Sequence, residues 1–260
     1  HYSQARQFYI SQTPIEQKHI GDALVFELSK VERPDIRVRV VSHLLNIDQE
    51  LAQTVANGLG AVLPKPAQAA MPTRHDLDPS PALSIVVNGP EGFAGRKLGI
   101  LVTDGTDASL FDALVEAVTA AGGTYEVIAP RIGGVTLSNG EGLAAKHMID
   151  GGPSVLFDAV AVIPSMNGAH VLAADAPSRD FVSDAFAHCK FLGLSEGGTA
   201  LMTAAGLGEK LDEACIGLDA PGKASQFIEA CAPLRFWQRE LSVDLDAKPA
   251  RPRNGKRKSK

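Results

Sequence analysis

Five prolines fall within 22 residues of this chain, at positions 64, 66, 72, 79 and 81. Proline fixes φ and removes an amide donor, so the stretch favours extended, semi-rigid backbone without a helix or an interior strand. A single hydrophobic core cannot run through it. The sequence therefore reads as two separately organised regions, residues 1–60 and 83–245. A linker at 61–82 joins them, and a basic tail at 246–260 follows.

Residues 1–60 are helical in pattern. Tyr2, Ala5, Phe8 and Tyr9 mark a first short helix. Thr13-Pro14-Ile15-Glu16 is a capping box with proline at the first helical position. Ile20, Ala23, Leu24, Leu28 and Val31 then recur at helical spacing. Pro34 opens a third helix, with Ile36, Val40, Val41, Leu44 and Leu45 on one side. Asp48 caps a fourth from Gln49 to Asn57, and Gly58 suits its stop. Helices of this size bury their apolar stripes only against something else. Beginning at His1 in mid-pattern, the block reads as the end of a larger helical domain. His19 and His43 lie within these helices, and neither has a second ligand at metal-binding spacing.

From Leu83 the period changes. Lys97-Leu-Gly-Ile-Leu-Val-Thr103 is a buried-strand run closed by Asp104-Gly105. Leu110, Ala113, Leu114, Ala117, Val118 and Ala121 follow at helical spacing, and Gly122-Gly123 end that helix. Further strands are predicted at 125–129, 157–164 and 191–195, with helices after the last two. Strands alternating with helices imply a parallel sheet covered on both faces, an α/β fold of flavodoxin-like, doubly wound order.

Composition limits the function classes. No apolar run approaches the roughly 20 residues that span a bilayer. Three cysteines, Cys189, Cys215 and Cys231, are too few and too scattered for a disulfide framework or a paired metal motif, which points to a reducing, cytoplasmic setting. The net charge of −5 hides an asymmetry: six of the 25 basic residues lie in the last ten, leaving 19 against 30 acids, or −11, elsewhere. Tail residues 251–260 are the only hint of nucleic-acid binding. No aromatic residue interleaves with those charges to stack on a base, so the tail reads as solvated chain.

In doubly wound sheets ligands sit at the carboxyl ends of the strands. Three turns there carry candidate chemistry. In Asp104-Gly105-Thr106-Asp107, the two carboxylates are either acid/base groups or parts of a turn with an Asp as helix cap, and the turn and cap are the ordinary use of such residues. In Pro164-Ser-Met-Asn-Gly-Ala-His170, Ser165 and His170 are candidate nucleophile and base, or hydrophilic residues opening a helix. Leu194-Ser-Glu-Gly-Gly198 has the strand-to-helix form of a nucleophile elbow, with Glu196 where a nucleophile would stand. No turn has a P-loop lysine or a dinucleotide-binding glycine pattern.

These residues carry two resemblances. Tyr2-Ser-Gln-Ala-Arg-Gln-Phe-Tyr9, Ser11-Gln-Thr-Pro-Ile-Glu-Gln-Lys-His-Ile20 and Asn46-Ile-Asp-Gln-Glu-Leu-Ala52 resemble the helical end of monofunctional haem catalases. Lys190-Phe-Leu-Gly-Leu-Ser-Glu-Gly-Gly-Thr-Ala-Leu-Met202, within roughly 97–232, resembles the elbow strand and helix of the DJ-1/PfpI family, which has a class I amidotransferase-like fold. That family places Cys and then His where this chain has Glu196 and Gly197. Its supporting acid falls near Ala108, with Asp107 adjacent.

The two resemblances occur together in large-subunit catalases of the hydroperoxidase II type. The likeness implies a haem parent enzyme that dismutates hydrogen peroxide and assembles as a homotetramer, with the distal His and Asn and the haem-ligating Tyr upstream of these residues. His1, Tyr2 and Tyr9 are not those groups. This portion is then expected to bind no haem by itself, to contain no catalytic residue, and to support stability, assembly and substrate access. Two alternatives stand beside that reading: a chaperone-like binding module, or a residual hydrolase or glyoxalase using Glu196 with Asp107 or His170.

Overall fold

The structure, a computed structural model, describes residues 1–241; the basic tail lies outside the described residues. The chain divides into two compact units, the first being His1–Pro90 and the second beginning at Glu91.

The first unit contains α1 (Tyr2–Ile10), α2 (Pro14–Ser29), α3 (Pro34–Leu44) and α4 (Gln49–Gly58). Both halves of the capping box form. Thr13 Oγ1 accepts from the Glu16 amide at 3.4 Å, and Glu16 Oε2 accepts from the Thr13 amide at 2.8 Å. Asp48 Oδ1 accepts from the amides of Glu50 and Leu51 at 2.9 and 3.1 Å. Leu28, Val41, Leu44, Leu51, Ala52, Val55 and Ala56 make the core. Gly58 differs from its expected role. A Cβ there would lie 2.6 Å from Val25, so this glycine lets α4 approach α2. The left-handed turn that closes the helix end is made by Gly60, at φ +62, and the Ala61 amide returns to the Ala56 carbonyl at 2.9 Å, a Schellman end.

Residues 61–90 lie along these helices as a hydrogen-bonded strap. Asn46 donates from Nδ2 to the Ala67 carbonyl, Thr73 Oγ1 donates to the Asn46 carbonyl, and the Ser80 amide donates to Ser11 Oγ. The last anchor is Glu16, which accepts from Ser84 Oγ at 2.8 Å and from the Val86 amide at 3.0 Å. Burial acts to raise its pKa. The donors from Val86, Thr13 and Ser84 outweigh burial and hold it at about 2.

The second unit is built on β1 (Lys97–Leu101), α5 (Ala108–Ala120), β2 (Thr124–Ala129), β3 (Val135–Thr136), β4 (Gly142–Leu143), β5 (His147–Met148), β6 (Ala159–Val162), α6 (Met166–Ala174), α7 (Ala176–Ala187), β7 (Leu192–Leu194), α8 (Glu196–Ala204), β8 (Cys215–Gly217), α9 (Lys223–Ala230) and α10 (Gln238–Leu241). The main sheet is parallel throughout, in the order β5-β2-β1-β6-β7-β8. Without the two-residue β5, the remaining strands run in the flavodoxin-like order expected from the sequence. β3 and β4 form a separate antiparallel pair.

Strand alternation sorts the core into two layers. Leu98, Ile100, Ala159 and Ala161 face α5 and α9 with Phe111, Leu114 and Phe227. Leu101, Val160, Val162 and Leu192 face α6, α7 and α8 with Leu172, Phe181, Leu201 and Met202. Gly99 is the narrow point of the second layer, because the Phe157 ring lies where a Cβ would come within 2.6 Å. Cys189, Cys215 and Cys231 are free thiols. No helix among the described residues is long and apolar enough to cross a membrane.

Two outcomes follow from these contacts. Gly99→Ala forces the Phe157 ring aside and lowers unfolding free energy by about 1–3 kcal/mol, and adding Phe157→Leu recovers part of the loss, as urea denaturation of the three variants measures. Glu16 has its pKa depressed in the fold, so its contribution is complete above 4.5 and is lost as pH falls from there towards about 2. Thermal melts should show Glu16→Gln less stable than the parent chain at pH 7, with the difference shrinking at pH 3. A difference that stays constant with pH contradicts the role given to this carboxylate.

Candidate functional site

Strands of a parallel sheet end on one edge, and here that edge opens into a cleft of about 610 Å³. Gly105 and Asp107 after β1, Pro164 and Ser165 after β6, Ser195, Glu196 and Gly197 after β7, and Asp219 and Pro221 after β8 line it. The edge lies at the switch between β1 and β6, where successive connections turn to opposite sides of the sheet.

Several polar groups in the cleft have local uses. Asp107 caps α5, accepting from Ser109 Oγ at 2.6 Å and from the Leu110 amide at 3.1 Å. Those donors, the Ser109 hydroxyl first, hold its carboxyl below the ordinary range, which favours a fixed anion over a proton carrier. Ser165 caps α6. Its Oγ accepts from the Gly168 amide at 3.0 Å and donates to the Asp104 carbonyl at 2.7 Å. Thr103 Oγ1 accepts from the Ser165 amide at 3.0 Å, and Thr106 Oγ1 donates to the Ile163 carbonyl at 3.0 Å. The serine is thus locked into a hydrogen-bonded floor beneath the cleft. His170 lies exposed on α6, outside the cleft, and does not meet Ser165 Oγ.

The turn after β7 decides what the elbow can do. A nucleophile elbow holds its reactive residue on a strained turn. Among the described residues, only Cys189 and Leu234 have positive φ without being glycine, so Glu196 carries no such strain. Ser195, at φ −70 and ψ 176, caps α8 through an Oγ that accepts from the Gly198 amide at 3.2 Å. Glu196 is an exposed first-turn residue whose charge suits the helix dipole. Gly197 and Gly198 admit close approach. A Cβ on either would lie 2.6 Å from the Pro164 carbonyl oxygen and 2.2 Å from that of Val162, respectively.

Glu196 and Asp107 therefore share a cleft, and His170 stands apart from them. Asp219 completes the acidic lining and was not legible beforehand. Its signal was the short apolar run Ala214-Cys-Ile-Gly-Leu218 ahead of Asp-Ala-Pro, a strand of only three residues. Among the described residues, no basic side chain lines the cleft. Among the described residues, no three His, Cys, Asp or Glu side chains gather as metal ligands.

Two family models match the chain. One, described as catalase-related immune-responsive, covers residues 1–59, and the other, the C-terminal domain found in long catalases, covers residues 94–240. Catalase C of Rhizobium meliloti (strain 1021) is 56% identical over 246 residues, covering 94% of this chain and 35% of that protein. Catalase HPII of Mycobacterium avium is 36% identical over 266 residues, covering 96% and 36%. Catalase HPII of Pseudomonas putida is 35% identical over 246 residues, covering 94% and 34%. The chain spans about a third of the length of these relatives.

The local roles in the cleft predict an order of sensitivity. Ser195→Ala removes a cap and lowers unfolding free energy by about 1 kcal/mol, whereas Glu196→Gln stays within about 0.5 kcal/mol of the parent. Chemical denaturation ranks the two. A larger loss from Glu196→Gln would show that this carboxylate has a partner the cleft geometry does not provide.

Proposed function

The chain belongs to the long catalases, whose C-terminal portion it matches, and from that membership we propose that its parent enzyme uses haem to dismutate hydrogen peroxide to water and oxygen. Within that enzyme, residues 1–60 close the catalase helical domain. The flavodoxin-like unit supports stability, subunit assembly in a homotetramer and substrate access, and takes no part in the chemistry. The relaxed turn at Ser195-Glu196 is the observation that carries this reading, because a catalytic elbow needs a strained nucleophile and a proton acceptor beside it. The three free cysteines support a reducing, cytoplasmic setting.

The two tyrosines of the first unit do not fit haem ligation. A tyrosine that ligates haem iron does so as the phenolate, so its environment must favour ionisation. Tyr9 is pushed the other way, first by burial and then by the carboxylates of Asp48 and Glu50. The Tyr2 hydroxyl is engaged with His43 Nδ1 at 2.6 Å. No step of peroxide chemistry is assigned to any residue of this chain.

Haem titration and oxygen evolution test the reading. The purified chain should give neither a stoichiometric Soret band nor turnover above that of free haem. A long catalase carrying this chain should keep its oxygen evolution per haem when residues 91–260 are removed, and should inactivate at a lower temperature. Stoichiometric haem and turnover in the isolated chain would overturn the proposal.

A further inference from the structure

Residues 231–240 cross the edge of the sheet opposite the cleft, where the parallel strands begin. Their bonds go to residues ahead of β1, β6, β7 and β8. Arg96, before β1, donates from Nη1 to the Cys231 and Ala232 carbonyls at 3.1 Å each. Arg235 Nη1 donates to the Asp158 carbonyl at 3.0 Å, before β6. The Phe236 amide donates to the Cys189 carbonyl at 2.7 Å, before β7. Arg239 Nη1 donates to the Phe186 and Lys190 carbonyls at 2.9 Å each, while its Nε and Nη2 hold Asp212, before β8, at 2.6 and 2.9 Å.

Under this strap lies Lys190, 1% exposed. Its Nζ donates to the carbonyls of Ser154 and Phe157, and no carboxylate forms a salt bridge with it among the described residues. A buried ammonium ordinarily needs such a partner. Lys190 and Arg235 instead occupy consecutive carbonyls, Phe157 and Asp158, so two like charges are seated side by side. The charged groups acting on Lys190 are Arg235 on the strap, Asp158 in the turn before β6 and Asp184 on α7. Arg239 is neutralised by Asp212, and Arg96 adds positive charge beside Arg235. Burial first, and Arg235 second, bring the Lys190 amine down to about 8, against the opposing pull of Asp158 and Asp184.

We propose that residues 231–240 form a pH-sensitive clasp over this edge of the sheet, in which the proton on Lys190 loosens the seat of Arg235 and its removal closes the strap. The closed strap keeps water from the amine and holds Arg235 against it, so the closed state binds that proton less tightly than an opened one. By linkage, protonation favours opening. Opening is therefore most frequent below about pH 8 and declines as pH rises from there towards 10.5, the ordinary lysine value. A neutral amine still has two N–H donors for the two carbonyls, so closure loses no hydrogen bond.

Hydrogen exchange of the Phe236 and Arg239 amides across pH 6.5–9.5, divided by the intrinsic rate at each pH, reads the opening equilibrium directly. In the native chain that equilibrium should fall above pH 8, at most about tenfold per pH unit. Lys190→Met should abolish the fall. Lys190→Arg, permanently charged, should also abolish it and leave the strap exchanging faster than native at pH 9.5. An undiminished fall in either variant overturns the proposal. If neither folds, Arg235→Gln decides: removing the like charge should move the fall to higher pH, and an unmoved fall overturns the clasp.

Discussion

A Cβ on Gly198 would lie 2.2 Å from the Val162 carbonyl oxygen, and one on Gly168 would lie 1.9 Å from Thr103 Oγ1. Neither position tolerates a side chain without a backbone shift, and the second unit is arranged around that constraint. The first turns of α6 and α8 rest directly on the ends of β1 and β6. They are held there by serine caps whose hydroxyls also reach across to neighbouring turns: Ser165 to the Asp104 carbonyl, Ser195 towards those of Val162 and Pro164. This close seating gives the cleft a well-bonded floor. It also explains why the turn after β7 keeps the outline of an elbow while lacking the strain that makes one reactive.

Legibility in the sequence followed how far each signal extends along the chain. Thr13 with Glu16, Asp48 and Asp107 each cap a helix as their spacing implies, because capping is decided within four residues. The long central strands were legible because both their faces are buried and their composition says so. β5 and β8, two and three residues long at the sheet's edges, carry no periodicity to read. The role of Gly58 depends on Val25, 33 positions away, and lay beyond any local pattern. The cleft was half legible. Its place follows from the parallel sheet, and Asp107 and Glu196 were placed correctly at strand ends. His170 stands apart from Ser165 because the serine caps α6 from ahead of its first turn while the histidine lies within the helix, exposed to solvent.

The two units use charge in opposite ways. In the first, one partly buried carboxylate, Glu16, gathers donors from α2 and from the strap, and so joins helix capping to the placement of residues 84–86. In the second, buried cations at the amino edge of the sheet take backbone carbonyls, and among the described residues Arg239 alone of them has a bonded carboxylate, Asp212. Carboxylates at one strand end and carbonyl-bound cations at the other give the sheet a polarity along its strands that the net charge of the chain does not reveal.

Burial also sets the chemistry of sulfur. Cys189, Cys215 and Cys231 all have their pKa values raised, in each case by burial first. The thiolate is the form that attacks an oxidant, and sulfenic acid is the first product on the way to irreversible oxidation. The packing that builds the core of this long-catalase chain thus also keeps its three cysteine thiols in the protonated form, which is the slower to be oxidised.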